Sequence, residues 1–150
     1  MAKLILLCGV PASGKSTLAS QYEQNGAVVL SSDSLREVLS GDAKDQSCSD
    51  QAFSIMRTMG EYFLKRNQTV IIDATNTTKR ARRPFIFLAR KYNATVQAFL
   101  FKISPAIAKA RNKARARVVP DDVIDRMAAQ LFEEPPTVGE VDSVILVDNK

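Results

Sequence analysis

The amino-acid sequence predicts an α/β fold in which one parallel sheet carries helices on both faces. Apolar segments of strand length alternate with segments of helical spacing along the whole chain. A glycine-containing loop joins the first apolar segment to the first helical one, and the β-branched segment 69–73 ends in a carboxylate. Because parallel strands are joined by helical crossovers, this alternation favours a sheet covered on both sides.

The elements are predicted in chain order as follows. Strands are expected at 4–8, 27–30, 69–73, 95–101 and 143–147. Helices are expected at 15–24, 34–39, 50–65 and 79–92, from 105 toward 115, and from 120 to about 132. Asn25-Gly26 is a helix stop, whereas Ser104-Pro105 supplies an N-cap and a first helical residue. Residues 40–49 are polar and predict a loop, and a break is expected at 115–119.

Length and composition indicate a single globular domain over residues 1–150, with 45% hydrophobic and 25% charged residues. We see no long apolar run and no signal-peptide pattern, so we expect a cytoplasmic protein without membrane contact. Two cysteines do not make a disulfide framework. Cys8 is expected in the core, and Cys48 is expected in an exposed connection.

The titratable and charged residues of the sequence limit the catalytic groups and ligands that are possible. The chain has no histidine, so a general base must be a carboxylate and a metal ion is expected to be Mg²⁺ on oxygen ligands. The net charge of +5 favours polyanionic partners such as nucleotides or nucleic acid. The alternative is a basic protein whose cations serve only its own nucleotide.

A phosphate-binding motif follows the first strand. The segment fits the P-loop pattern of a glycine, four residues and then Gly-Lys-Ser. Its backbone amides are expected to surround the phosphates of ATP, helped by the N-terminus of the next helix. Lys15 would contact the β- and γ-phosphates, and the Ser16 hydroxyl would bind Mg²⁺. The predicted ATP-binding residues here are Gly9, Pro11, Ala12, Ser13, Gly14, Lys15, Ser16 and Thr17.

Asp33 and Arg36 follow the second strand, three residues apart, so a helix would place both side chains on one face. A kinase needs a group that accepts the proton of the acceptor hydroxyl, and Asp33 is the leading candidate. Arg36 is predicted to hold an anionic part of the acceptor, such as a phosphate. The alternative is an N-cap aspartate beside a surface arginine.

Asp73 closes the third strand, where an acidic residue commonly helps to hold Mg²⁺. The alternative for Asp73 is a turn residue at a strand end. Thr75 and Asn76 follow it in a polar loop. They are substrate-binding candidates, and a purely loop-forming role is equally compatible with the pattern.

Two basic clusters come later in the chain. In the first, four cations are candidates for binding a phosphodiester backbone, and a solvated surface role is equally compatible. They are Lys79, Arg80, Arg82 and Arg83, of which Arg80 and Arg83 are the predicted substrate-binding residues. Cations in the first turn of a helix oppose its dipole. We predict no aromatic platform for base stacking in either cluster.

In the second cluster, Arg111 and Arg115 lie beside the expected break and are predicted to close over ATP as part of a mobile lid. Arg115 is predicted to be catalytic together with Lys15 and Asp33. The remaining cations are predicted to form a solvated helix face: Lys109, Lys113 and Arg117.

Taken in order, these motifs resemble the polynucleotide 5′-hydroxyl kinase group of P-loop kinases, of the AAA_33 type. The matching segments are 9–17, Asp33-x-x-Arg36, Asp73-Ala-Thr75-Asn76, Arg111-Asn112-x-x-Arg115 and a Val-Pro segment that begins at Val119. The resemblance extends from residue 3 to about 132. One departure is that Arg115 and Pro120 are closer in sequence than in the phage repair kinase.

The resemblance implies a three-layer P-loop NTPase fold with strand order 2-3-1-4-5 and an arginine-bearing helical lid. It also implies Lys15 and Ser16 on ATP and Mg²⁺, Asp33 as base, Arg36 on an acceptor phosphate and Arg115 on the donor phosphates. The predicted function is transfer of the ATP γ-phosphate to the 5′-hydroxyl end of a nucleic acid. Two alternatives remain open, a kinase of a nucleoside, sugar or antibiotic and a nucleotide-dependent switch or ATPase module.

Overall fold

A computed structural model of the chain describes residues 2–115 and 118–148. The strands form one parallel sheet in the order β2-β3-β1-β4-β5. They are β1 (Lys3–Cys8), β2 (Val28–Ser31), β3 (Thr69–Asp73), β4 (Thr95–Lys102) and β5 (Ser143–Asp148). The predicted parallel sheet and its strand order are therefore confirmed.

The helices lie close to their predicted positions. They are α1 (Lys15–Gln24), α2 (Ser32–Ser40), α3 (Ser49–Lys65), α4 (Lys79–Lys91), α5 (Pro105–Lys113) and α6 (Asp121–Glu133). Helix α2 begins earlier than predicted because the hydroxyl of Ser31 caps it, accepting the Ser34 N–H at 3.2 Å. Helix α5 ends at Lys113, before Arg115. Within the described residues, every helix is too short or too polar to cross a bilayer.

The two faces of the sheet bury separate apolar clusters. Side chains alternate along β1, so Leu4 and Leu6 point to one face and Ile5 and Leu7 to the other. The first face packs against α3 and α4, and the second packs against α1. This arrangement holds the carboxyl end of β1, and the loop that follows it, between two packed layers.

A third apolar cluster joins α5 and α6 to the P-loop. Val10 packs with Ala108 of α5 and Ile124 of α6, and all three residues are buried. Because Val10 follows the first glycine of the motif, this contact connects α5 and α6 directly to the loop.

The two cysteines are both free. Cys8 is fully buried, as predicted, and its burial raises the pKa of the thiol to about 12. Cys48, which we expected to be exposed, is half-buried because its sulfur lies 3.7 Å from the Asp45 carbonyl oxygen and 3.9 Å from that of Arg36.

Candidate active site

The P-loop contains two residues in the left-handed backbone region. Gly14 has φ 101° and serves as the N-cap of α1, and Ala12 also has a positive φ of 66°. No side chain caps α1. The first N–H groups of the helix are therefore available to an anionic ligand, as the motif predicts.

Gly9 occupies a position with no room for a side chain. A Cβ atom there would lie 2.5 Å from the Ser13 Oγ and 2.9 Å from the Phe101 Cβ. Its N–H donates to the Thr75 carbonyl at 2.9 Å. The loop that follows β3 thus fixes the first residue of the P-loop.

The ammonium group of Lys15 lies inside the loop, where it donates to the carbonyl oxygens of Gly9 at 3.0 Å and Val10 at 2.8 Å. Burial lowers the pKa of Lys15 from its usual 10.5 to about 8. The carboxylates of Asp73 and Asp33 oppose this shift in the Lys15 pKa, and the Arg115 guanidinium adds to it. Three of the predicted site charges, those of Asp73, Asp33 and Arg115, therefore act on Lys15.

Asp33 and Arg36 contact each other on α2. Arg36 Nη2 donates to Asp33 Oδ1, and Arg36 Nε donates to the Ala43 carbonyl at 3.0 Å. Arg36 is buried, whereas Asp33 is partly exposed in the first turn of the helix. The spacing brings the two side chains together as expected, and their assigned roles stay predictions.

Strand register places Asp73 beside the loop. It pairs with Leu7 of β1 on one side and with Ser31 of β2 on the other. Asp73 therefore lies between the strand that enters the P-loop and the strand that leads to Asp33. This position is compatible with the predicted role on Mg²⁺, which stays a prediction.

Asn76 supports the same region from within the core. It has φ 48°, is buried, and donates from Nδ2 to the Leu7 carbonyl at 2.7 Å. Together with the Thr75 carbonyl on Gly9, this contact ties the loop after β3 to the end of β1. Both residues thus have a backbone-holding role, and direct contact with substrate stays a prediction.

The segment after α5 is held by a side chain that the sequence analysis did not single out. Asn112 Nδ2 donates to the Val119 carbonyl at 2.7 Å, and its Oδ1 accepts the Val119 N–H at 3.2 Å. Arg115 lies between these anchored positions, and its N–H donates to the Asn112 carbonyl at 3.1 Å. Arg111 is half-buried in the last turn of α5.

The other described cations of this segment are ion-paired or exposed at the surface. Lys109 pairs with Asp125 at 3.1 Å, and Lys113 is exposed, which agrees with the surface role predicted for them. The same prediction for Arg117 concerns a residue outside the described ranges.

The basic cluster at the start of α4 divides into exposed and buried members. Arg80 and Arg83 are exposed, whereas Arg82 has 0% exposure. Both predicted roles of the cluster, a nucleic-acid-binding surface and a solvated surface, are therefore wrong for Arg82. Its helical spacing with the buried Phe85 and Ala89 is a signal that could have identified it.

The Arg82 guanidinium joins three segments. Its Nε donates to Glu140 Oε2 at 2.9 Å, Nη1 to the Asn76 carbonyl at 2.8 Å and Nη2 to the Glu134 carbonyl at 2.7 Å. Since Asn76 in turn holds the end of β1, a continuous set of contacts runs from Arg82 to the P-loop.

The site fits a nucleoside triphosphate with Mg²⁺. Nη1 of Arg115 is buried and has no hydrogen-bond partner within the described ranges, which is the state expected of a donor reserved for a ligand. Ser16 is exposed at the start of α1. In the described part of the chain no three acidic or cysteine side chains gather as a metal site. The residues predicted to hold Mg²⁺ jointly with the phosphates stay Ser16 and Asp73.

Comparison with known proteins places this geometry in context. The AAA_33 family profile, described as an AAA domain, matches residues 4–135. The L-seryl-tRNA(Sec) kinase of Methanococcus maripaludis is 26% identical over 144 residues, which cover 89% of this chain and 54% of that protein. The chain thus spans about half the length of this curated relative.

Solved structures share the fold. A chain of the Pnkp1/Rnl/Hen1 RNA repair complex superposes with a TM-score of 0.78 at 24% identity, covering 88% of this chain and 44% of that chain. Kti12 from Chaetomium thermophilum, solved with ADP-AlF3, superposes with a TM-score of 0.68 at 19% identity, covering 97% and 88% respectively. With a P-loop kinase-like fold and a profile match over most of its length, the chain belongs to the AAA_33 family of AAA domains.

Proposed function

We propose that this chain transfers the γ-phosphate of ATP to a hydroxyl group, most favourably the 5′-hydroxyl end of a polynucleotide. The observation that carries the proposal is the Lys15 ammonium group, which the Gly9 and Val10 carbonyls hold in the P-loop and whose pKa responds to the charges of Asp73, Arg115 and Asp33. Phosphoryl transfer needs cations where phosphate charge develops and a carboxylate that accepts the proton of the acceptor. The site provides both within one group of side chains.

Each residue has a distinct task in this reaction. Lys15 and Arg115 stabilise the charge on the phosphate oxygens, and Arg111 contributes from the last turn of α5. Asp33 accepts the proton of the acceptor hydroxyl. The acceptor oxygen then bonds to the γ-phosphorus, and the bond between the γ-phosphorus and the ADP oxygen breaks. Mg²⁺, when bound, neutralises charge on the β- and γ-phosphates.

A nucleic-acid acceptor is supported by Arg36 and by a relative. Arg36 is held by the Ala43 carbonyl next to Asp33, so a phosphate bound to it would lie close to the proposed base. The curated relative, by its name, acts on L-seryl-tRNA(Sec), a hydroxyl-bearing group carried by RNA. The net charge of +5 also favours a polyanionic acceptor.

The test is transfer of labelled γ-phosphate from ATP to a 5′-hydroxyl oligonucleotide, with the wild type compared with Asp33→Asn. We expect the variant to keep ATP affinity and to lose about 10²–10⁴-fold in kcat, because general-base catalysis contributes about that much. Asp50→Asn, which changes an exposed acid in the first turn of α3, is the matched control. A variant that turns over like the wild type would remove Asp33 from the mechanism.

The same assay separates the competing functions. Nucleosides and sugars run beside the oligonucleotide identify a small-molecule kinase if one of them is phosphorylated instead. Hydrolysis of ATP without a phosphorylated product on any hydroxyl compound would indicate a switch or ATPase module and would contradict the proposal.

A further inference from the structure

Helix α4 carries one strongly basic face. With 3.6 residues per turn, six side chains fall within about 120° of its circumference. All six are exposed, and together they are called the α4 basic face: Lys79, Arg80, Arg83, Phe87, Arg90 and Lys91. The helix itself contains no acidic residue, so any negative charge that offsets these cations comes from other elements.

The two ends of the α4 basic face differ in their counter-charges. Near the C-terminus, Arg90 pairs with Asp142 at 2.7 Å and Lys91 lies 3.7 Å from the Glu61 carboxylate. Near the N-terminus, Arg80 and Arg83 form no ion pair with any carboxylate of the described residues. Glu134 Oε1 accepts the backbone N–H of Lys79 at 3.4 Å, but neither Arg80 nor Arg83 has a carboxylate partner within the described residues, so the side-chain charge is only partly compensated at this end of the helix.

Glu140 does not provide that compensation. It lines a small pocket with Lys79 and Arg83, but its Oε2 accepts a hydrogen bond from buried Arg82. Cations in the first turn also oppose the helix dipole. A bound polyanion would therefore relieve the repulsion among the cations at this end of α4.

Phe87 adds a flat apolar surface to these charges. It is 68% exposed and lies one helical turn from Arg83 and one turn from Arg90. Phe87 lies outside the two basic clusters of the sequence analysis, for which we predicted no aromatic platform. An exposed aromatic ring between arginines matches the way in which proteins bind single strands, with bases stacked on rings and phosphates on guanidinium groups.

We propose that the α4 basic face binds single-stranded nucleic acid that extends from the acceptor site, with phosphates on Arg80 and Arg83 and a base on Phe87. The inference rests on the proposed function, because it describes where the remainder of the acceptor strand lies. Helix α4 starts at the carboxyl edge of the sheet, where Asp73 ends β3, and runs about 20 Å away from it. A strand held there leads directly to the catalytic edge.

The test compares 5′-hydroxyl oligonucleotides of about 3 and about 15 nucleotides as acceptors for the wild type and for Arg80→Gln/Arg83→Gln. Binding of the fluorescently labelled 15-mer by anisotropy gives an affinity that does not depend on turnover. The control is Lys3→Gln/Lys102→Gln, which removes the same charge from β1 and β4. Phe87→Ala tests the stacking contact separately.

We expect the arginine double variant to raise the KM and Kd of the long acceptor about tenfold or more, with kcat and the KM of the short acceptor unchanged. The slope of log affinity against log salt should become about 1.4 units less steep, since each single-strand phosphate contact contributes about 0.7. Phe87→Ala should weaken binding of the long acceptor about fivefold or more without changing that slope.

An unchanged ratio of long to short KM, or equal losses in the control, would overturn the inference. So would equal binding of polyglutamate, because it would assign the face to acidic proteins. If no oligonucleotide is phosphorylated, the proposed function fails. The anisotropy measurements alone then test whether the α4 basic face binds single-stranded nucleic acid. If the α4 variants phosphorylate the oligonucleotides as the wild type does, the proposed function stands and the proposed binding surface on α4 is wrong.

Discussion

Lys15 shows at the residue scale how burial prepares a cation for a phosphate. Its ammonium group donates to two loop carbonyls, and burial holds its pKa at about 8. A phosphate bound beside it would favour the protonated form and raise that pKa again. Binding of ATP should therefore be linked to proton uptake in the range where free Lys15 titrates.

We predict that ATP affinity is constant below pH about 8 and falls by up to about tenfold per pH unit above it. Above that pH the free protein has lost the Lys15 proton, which the bound phosphates require. Isothermal titration calorimetry in buffers of different ionisation enthalpy measures the uptake. Cys8, with a pKa of about 12, does not titrate in this range.

Lys15→Met is the control for this linkage, because it should bind ATP weakly and without proton uptake. A wild-type affinity that does not change between pH about 7 and about 9.5 would contradict the prediction. The same pKa shift makes the ligand-free protein more stable as pH rises from about 8 toward 10.5, because the unfolded chain then binds the Lys15 proton more strongly.

At the scale of elements, the connection between α5 and α6 depends on one side chain. Asn112 exchanges two hydrogen bonds with the backbone of Val119, in the manner of a paired peptide group. It thereby fixes both ends of the segment that contains Arg115. The position of Arg115 is thus set both by the end of α5, through its N–H on the Asn112 carbonyl, and by the buried Asn112 amide that holds Val119.

We predict that Asn112→Ala raises the Kd for ATP about tenfold and lowers the free energy of unfolding by about 1–3 kcal/mol. The substitution leaves buried backbone groups of Val119 without partners, which costs about that much. Nucleotide titration and urea unfolding measure the two effects. Lys113→Ala, at the exposed neighbouring position, should change neither, and equal ATP affinity of the two variants would contradict the prediction.

At the scale of the whole molecule, Arg82 joins parts of the chain that are distant in sequence. It connects α4 to the loop after β3 and to the segment between α6 and β5. Because the first of these loops holds Leu7 and Gly9, Arg82 links the segment between α6 and β5 to the P-loop, in addition to the direct packing of α5 and α6 on Val10.

We predict that Arg82→Met lowers the free energy of unfolding by about 3 kcal/mol, since it leaves the largely buried Glu140 carboxylate without the guanidinium that it pairs with. Urea denaturation measures the loss. Arg83→Met, one residue further on an exposed position, should change stability by less than about 0.5 kcal/mol. Adding Glu140→Gln to Arg82→Met should restore part of the stability, and no recovery would show that the carboxylate is not the cause.

The sequence alone determined the features that depend on local geometry. Strand and helix periods identified the elements to within about two residues, and the P-loop pattern predicted the turn between β1 and α1, because both arise from nearby dihedral preferences. The i,i+3 spacing brought Asp33 and Arg36 together for the same reason. The strand order 2-3-1-4-5 came from family resemblance rather than from these local signals.

Only the tertiary structure decided which polar groups are buried and which residues stay at the surface. Asn76 meets Leu7, which is 69 residues away, and Arg82 meets Glu140, which is 58 residues away. The same packing buries Arg82 and exposes Phe87 on one helix, against the usual preferences of both residue types. Such contacts join distant segments, and the free energy of burial depends on every neighbour at once, so local patterns do not determine it.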